Sequence, residues 1–288
     1  MKIVLSSNPF RDKNLKAARS ADRILRASGA ETKLCLPFTF EGANTLELPK
    51  EVAFCDLKKE LENTDMLICF GGDGTILHAA KDAVAQKVPI LGVNMGSVGF
   101  MAELEHSELS LLSRVTAGKY TVESRMMLDV SVWRDGKRVY EALALNDAVL
   151  TKGAVARIVD LAVYGDGMLI SDFGGDGVII STPTGSTAYS MAAGGPIVEP
   201  TAENMIITPI CAHALQAKSF VLGRDRVVDV VTERQSRKSV YLSVDGGKAF
   251  KVLGGDKVTI RRSRQITRLV RLTNKSFYTI MREKLGRG

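Results

Sequence analysis

The chain reads as an α/β N-terminal domain with a mainly parallel sheet, followed by a β-rich C-terminal domain. Up to about residue 125, short apolar runs of strand length alternate with helical patterns. From about residue 126 the hydrophobic period changes to two, with Leu128, Val130 and Val132 alternating with Asp129 and Ser131. A glycine-rich turn, Gly71-Gly72-Asp73-Gly74-Thr75, joins an apolar run to a helical pattern, the usual place for a ligand at the edge of a parallel sheet.

In order, residues 2–6 read as a strand and 12–28 as one helix, with Leu15, Ala18, Ala21 and Leu25 on one face and Gly29 as its cap. Residues 32–36 are strand-like, 57–61 a short helix, 66–70 a buried strand, and 75–80 the start of a helix carrying His78 on its surface. Another buried strand at 89–93 leads into the loop 94–100, and Ser107 with Leu109, Leu111 and Leu112 starts a further helix. In the second half, strands fit 156–164, 168–171, 178–181, 226–231, 239–244 and 258–262. Turns at Asp135-Gly136, 165–167 and 245–247 punctuate them. One helix is expected near 186–193 and another at 276–285.

The chain has 288 residues, 45% hydrophobic and 25% charged, enough for two domains with good cores. No apolar stretch approaches the roughly 18 residues a membrane span needs. The N-terminus enters a strand pattern directly, so a cytoplasmic protein is expected. The four cysteines show no short paired spacing, and Cys69 and Cys211, in apolar runs, read as small buried hydrophobes. A formal charge of +7 suits a polyanionic ligand or nucleic acid. The basic residues are scattered, densest at 234–238 and 261–271. No aromatic-rich RNA-binding signature accompanies them, so no nucleic-acid partner is expected.

Glycines in a strand-to-helix turn let backbone approach a ligand, and a helix N-terminus offers N–H groups to an anion. A carboxylate there repels what the loop attracts. It makes sense if Asp73 holds a metal or takes a proton from a hydroxyl attacking phosphorus; the plainer reading is a turn whose Asp caps the next helix. A second motif runs from Gly175 to Ser190 and on to Pro196. It includes Asp176, Ser181, Thr182, Thr184, Gly185, Thr187, Ala188 and Tyr189, small hydroxyls and an aromatic face at a helix start. Between the two lies Leu145-Asn146-Asp147, polar residues interrupting a strand pattern, which read as a ligand edge or as a bulge. A Ser186, His213 and Asp245 hydrolase is conceivable, but the chain lacks a G-x-S-x-G nucleophile elbow.

Taken together, the 71–75 turn, Leu145-Asn146-Asp147, the 175–196 run, residues 207–213 and Ser243-Val244-Asp245-Gly246 make the chain resemble the NAD kinase family over nearly its whole length. The resemblance implies an α/β domain over 1–125 rejoined by 266–288, and a β-rich dinucleotide-binding domain over 126–265. It implies transfer of the γ-phosphoryl group of ATP, with inorganic polyphosphate as an alternative donor, to the 2′-hydroxyl of the adenosine ribose of NAD. Asp73 would be the base. Gly71, Gly72, Gly74 and Thr75 would line the phosphate turn; Phe100, Asn146, Asp147, Asp176, Thr184, Thr187, Ala188 and Tyr189 would line the dinucleotide site. Mg²⁺ would accompany the triphosphate without a protein cage, and a homodimer or homotetramer is implied. The chain departs from the family pattern at Ser97 (often His), at Asp147 (usually Glu) and at Ala212 and Ala214 beside His213, which reads as a core or loop-bracing histidine. A lipid kinase explains the glycine turn but not the 175–196 run. A nucleotide-sensing module has no need of Asp73.

Overall fold

The computed structural model describes residues 1–36, 56–96, 99–153, 158–213, 217–232 and 239–286. The chain divides into two compact units, one of residues Met1–Ser124 with Thr267–Gly288, the other Arg125–Ile266.

The first unit is built on parallel strands. β1 (Lys2–Ser7) leads through α1 (Lys16–Ala27) to β2 (Glu31–Cys35). After the four-residue α2 (Leu57–Glu60) come β3 (Met66–Gly71), α3 (Asp73–Ala85), β4 (Ile90–Asn94) and the short β5 (Leu104–Glu105). β1 lies between β2 and β3, β3 pairs with β4, and every pairing is parallel. All six residues of β3 are buried, the pattern of a strand covered on both faces. Ile3, Leu5, Ile68, Phe70, Leu91 and Val93 pack there with Ala18, Ala21 and Leu25 of α1.

The helix expected over 12–28 is broken. Residues 13–15 form a 3₁₀ turn, and Asn14 and Leu15 adopt left-handed backbone at φ 56 and 54. Asp12 causes the break: its carboxylate accepts the N–H groups of Ala17 (2.9 Å) and Ala18 (3.0 Å), capping a helix that starts only at Lys16. Similarly, the helix expected from Ser107 is a 3₁₀ stretch, His106–Leu112, capped by Glu105 and Glu108, before α4 (Ser113–Thr116).

The second unit is antiparallel. β6 (Thr121–Arg134) turns at Asp135-Gly136, both at positive φ, into β7 (Lys137–Ala144). There follow β8 (Asp147–Lys152), β9 (Val159–Gly165), β10 (Met168–Gly175), β11 (Gly177–Ser181), α5 (Tyr189–Ala192), β12 (Asn204–Ile210), β13 (Phe220–Gly223), β14 (Val227–Thr232), β15 (Val240–Val244), β16 (Phe250–Val252) and β17 (Lys257–Arg271). One sheet has the order β13-β12-β11-β8-β15-β16, with β11 wholly buried. In the other, β9 pairs with β10 and β14, and β14 pairs with β17. Leu150, Ile180, Ile207, Leu242, Val163 and Val230 belong to the core between them. The strand expected at 156–164 begins at Val159, its first residues lying outside the described ones. The strand expected at 258–262 runs on to Arg271.

The chain returns to the first unit through the end of β17, where Leu269 pairs with Ile90, and closes with α6 (Phe277–Leu285). Glu103, only 7% exposed, ties this return down. Its Oε1 accepts the N–H of Leu272 (2.9 Å), the N–H of Thr273 (2.6 Å) and the Thr273 hydroxyl (2.7 Å), while Oε2 meets Arg271 at 3.3 Å.

Candidate active site

In the first unit, β3 and β4 end side by side, with Gly71 opposite Asn94 and the Met95 N–H donating to the Gly71 carbonyl at 3.0 Å. Chain reversal into α3 is tight: a Cβ at Gly71 would lie 2.2 Å from Thr75 Oγ1 and 2.7 Å from its Cβ. Gly71 is therefore required by its own helix. Gly72, half-buried, and Gly74, exposed, face open space instead, with nothing within 4 Å of an added Cβ.

Asp73 is the first residue of α3, yet it does not cap that helix; the capping position, Gly72, makes no side-chain bond. The carboxylate reaches the loop after β4. Oδ2 accepts the Phe100 N–H at 2.7 Å and Oδ1 the Met101 N–H at 3.1 Å. Gly99 passes so close that a Cβ there would sit 3.0 Å from Oδ1. Burial pushes the Asp73 carboxyl above its ordinary value, opposed by the N–H groups of Phe100, Met101 and Ala102 and by the charge of Lys284 on α6. The simple capping interpretation of Asp73 is excluded by these partners.

In the second unit, β11, β8 and β15 are neighbours, with Ser181 opposite Asp147 and Ala148 opposite Val244. The end of β11, the start of β8 and the end of β15 thus meet at one sheet edge. Here the backbone of 145–147 is held from two sides. Asp245 accepts the N–H groups of Leu145 (2.9 Å), Asn146 (2.8 Å) and Asp147 (3.1 Å). Thr182 donates its N–H to the Asn146 carbonyl (2.9 Å) and its hydroxyl to the Leu145 carbonyl (2.5 Å). The same hydroxyl accepts the Gly185 N–H at 3.0 Å, and a Cβ on Gly185 would come within 2.1 Å of the Asn146 carbonyl.

Asn146, Asp147 and Thr184 are consequently gathered at this edge. The Asn146 Oδ1 is buried without a hydrogen-bond partner among the described residues. Asp147, 5% exposed, has its carboxyl pushed up to about 7, first by burial and second by the Asp245 charge. Thr184 accepts from the buried Arg125 guanidinium at 3.3 Å, and the Thr187 hydroxyl donates to the Thr184 carbonyl at 3.2 Å. A 3₁₀ turn, Gly185–Thr187, and the short α5 replace the single helix expected at 186–193. Beyond it Ala188 is half-buried and Tyr189 is 44% exposed, its ring free to take a ligand.

Asp176 is not brought to this edge. It precedes Gly177 at the other end of the five-residue β11, about 16 Å away at the usual rise of a strand, and pairs with Lys152 at 2.6 Å. His213 is exposed rather than in the core, its backbone N–H on the Gly174 carbonyl. Cys211, expected to be buried, is also exposed, because the chain leaves the sheet there at φ 45. Cys35 and Cys69 are buried, burial pushing the Cys69 thiol up to about 12. The Ser186 hydroxyl donates to the Pro183 carbonyl at 2.7 Å and accepts the Val198 N–H at 3.0 Å; fully buried, it is no nucleophile. Ser97, Cys55, Ala214 and the basic group 234–238 lie outside the described residues. Met101 took no part in the sequence reading of the site; Thr182 entered it only as one hydroxyl of the second motif, and Asp245 only through its turn motif and the hydrolase alternative.

A desolvated carboxylate in a glycine-rich strand-to-helix turn, on the unit rejoined by the C-terminal segment, is the equipment of a phosphotransferase. Residues 15–120 match the family model for the ATP-NAD kinase N-terminal domain, and residues 145–272 that for the C-terminal domain. An NAD kinase of Acetivibrio thermocellus is 38% identical over 286 residues, covering 99% of this chain and 97% of its own. One from Symbiobacterium thermophilum is 46% identical over 223 residues, 77% and 78% of the two chains. Among solved structures, an NAD kinase from Archaeoglobus fulgidus in complex with ATP superposes with TM-score 0.71 at 25% identity, covering 99% of this chain and 98% of that one. Yeast NADH kinase complexed with NADH shares the fold at TM-score 0.85 and 24% identity, covering 100% and 88%. The chain belongs to the NAD kinase family, and its activity is the phosphorylation of NAD.

Proposed function

We propose that the γ-phosphoryl group of ATP passes to the 2′-hydroxyl of the adenosine ribose of NAD, giving NADP and ADP, with Asp73 as the base. The observation that carries this reading is the Asp73 carboxylate, fixed by two loop N–H groups and raised by burial in a turn otherwise open to a ligand. A sugar hydroxyl is a poor nucleophile, and a positioned proton acceptor contributes about 10²–10⁴-fold. Raising its pKa makes Asp73 a stronger proton acceptor. As the hydroxyl oxygen bonds to phosphorus and the bond to the ADP oxygen breaks, the hydroxyl proton goes to Asp73. Backbone N–H groups at the start of α3, with Gly72 and Gly74 offering open approach, stabilise the phosphoryl oxygens. Thr75 lies beneath them, buried under Gly71.

Among the described residues no cluster of three His, Cys, Asp or Glu gathers to hold a metal. The open space beside Gly72 and Gly74 fits a Mg²⁺ carried in on the donor, which takes most of its ligands from phosphate and water and screens negative charge. With so few protein contacts demanded of the donor, inorganic polyphosphate serves as an alternative. Asn146, Asp147, Thr184, Thr187, Ala188 and Tyr189 take the dinucleotide. A homodimer or homotetramer built through the β-rich unit, with the dinucleotide near the subunit contact, belongs to the same reading. The substrates, NAD and ATP, support a cytoplasmic setting.

Asp73→Asn tests the base. It keeps one oxygen for a loop N–H, sets an amide N–H₂ against the other, and loses proton acceptance. Turnover in a coupled NADP assay should fall at least about 10²-fold while calorimetric NAD affinity holds. Wild-type turnover in this variant refutes the assignment.

A further inference from the structure

Asp245 is not among the groups assigned above to phosphoryl transfer, yet its carboxylate accepts three consecutive backbone N–H groups. Oδ2 accepts the Leu145 N–H and Oδ1 the N–H groups of Asn146 and Asp147, while the Asp245 N–H donates to the Asp147 carbonyl at 3.0 Å. Asp245 itself sits at φ 51, left-handed backbone that few residues other than glycine adopt, followed by Gly246 at φ 65. A chain reversal between two strands needs no charged group from about a hundred residues away. Three consecutive N–H groups aimed at one carboxylate make a rigid nest.

We propose that Asp245 is a positioning residue for the acceptor site: its carboxylate fixes the 145–147 turn so that Asn146 and Asp147 face the dinucleotide. The inference rests on the reading of those two side chains as NAD contacts. Thr182 is the opposite jaw of the same clamp, through the Leu145 and Asn146 carbonyls, and it extends the hold to Gly185 and so to Thr184. The Asn146 Oδ1 supports this: it is a buried acceptor with no donor among the described residues, which a bound ligand would satisfy.

The same charge acts on Asp147, whose carboxyl it helps to raise. On β8 the other charged group, Lys152, lies at the far end, paired with Asp176. The β11 residue opposite Asp147 is the uncharged Ser181, and the adjoining β15 residue is Val244. Asp245 is thus the charge that couples to Asp147, and this coupling supplies a readout that a purely structural role would not move.

Asp245→Asn keeps the volume, removes the charge and puts an amide N–H₂ where an N–H must be accepted. Losing a hydrogen bond to a charged group corresponds to about 10-fold to 100-fold in binding. The KM for NAD should rise by at least about 10-fold, with kcat and the KM for ATP within about twofold of wild type. The pH midpoint of the NAD KM, near that of Asp147, should move down. A lowered Tm with unchanged NAD KM and unchanged midpoint overturns the proposal. Should this variant not accumulate as folded protein, Thr182→Val carries the test, with the same rise in NAD KM expected and an unchanged KM overturning it. Asn146→Ala runs alongside: if it leaves the NAD KM unchanged, the contact reading of Asn146 fails, whereas a raised KM there with no effect of Asp245→Asn sinks the positioning role alone.

Discussion

Replacing Asp147 with asparagine should make the protein more stable, and by an amount that depends on pH. Asp147 is 5% exposed and its carboxyl is pushed up to about 7, against 3.8 ordinarily. Below pH 3.8 both folded and unfolded chains hold the proton, and the wild type keeps its full stability. Between 3.8 and about 7 the unfolded chain releases the proton while the folded one retains it, so stability falls as pH rises; above about 7 the loss is complete. Two values about three pH units apart correspond to about 4 kcal/mol in total. Asparagine has nothing to ionise. The advantage of Asp147→Asn over wild type should therefore grow by about 2 kcal/mol between pH 5 and pH 7 and level off near pH 8. Urea unfolding of both proteins across this range measures it, and other titrating groups cancel in the difference. A difference independent of pH, or one that shrinks as pH rises, would refute the placement of this carboxyl in a desolvated site beside Asp245.

The glycines of the 71–75 turn should separate stability from donor binding. Gly71→Ala drives a Cβ into Thr75 and should cost about 1–3 kcal/mol by thermal melting, as overpacking does. Gly74→Ala, facing open space in the first turn of α3, should leave Tm unchanged or raised but increase the KM for ATP; a normal KM would show that the phosphates approach elsewhere. Tyr189→Ala should raise the KM for NAD through about 1–3 kcal/mol of lost ring packing, with little change in kcat. Unaltered NAD affinity by calorimetry would remove Tyr189 from the site. Excess chelator should abolish ATP-driven NADP formation, and full activity would exclude a divalent cation.

What the sequence makes legible follows from how far each interaction reaches along the chain. The buried run 66–70, the face formed by Ala18, Ala21 and Leu25, and the Asp135-Gly136 hairpin depend on neighbours a few residues away, and patterning finds them. The break at Asn14 and Leu15 escapes it, because hydrophobic period does not register that Asp12 can cap at Ala17 and Ala18. Asp73 stands out by its motif, but its partners Phe100 and Met101 come from 27 and 28 residues on. Asp245 reads as a turn residue or a hydrolase candidate; its clamp on Leu145 and its neighbours spans 98 to 100 positions. The exposure of Cys211 and His213 turns on where β12 ends, at Ile210, a boundary that an apolar run leaves open. Asp176 and Thr184 share one motif in the sequence, and only the straightness of β11 sets them apart.

The tie between Glu103 and the returning C-terminal segment bears on how the protein is made. The donors that satisfy this buried carboxylate, at Leu272 and Thr273, lie 169 and 170 residues downstream. The second unit is continuous in sequence and can condense as soon as it leaves the ribosome, whereas Glu103 in the first gains these donors only after residues 272 and 273 have been made. Nascent chains are therefore half-finished at their oldest end. A chain cut short before residue 272 should therefore carry an N-terminal half that lacks these partners for Glu103, which favours its opening and degradation.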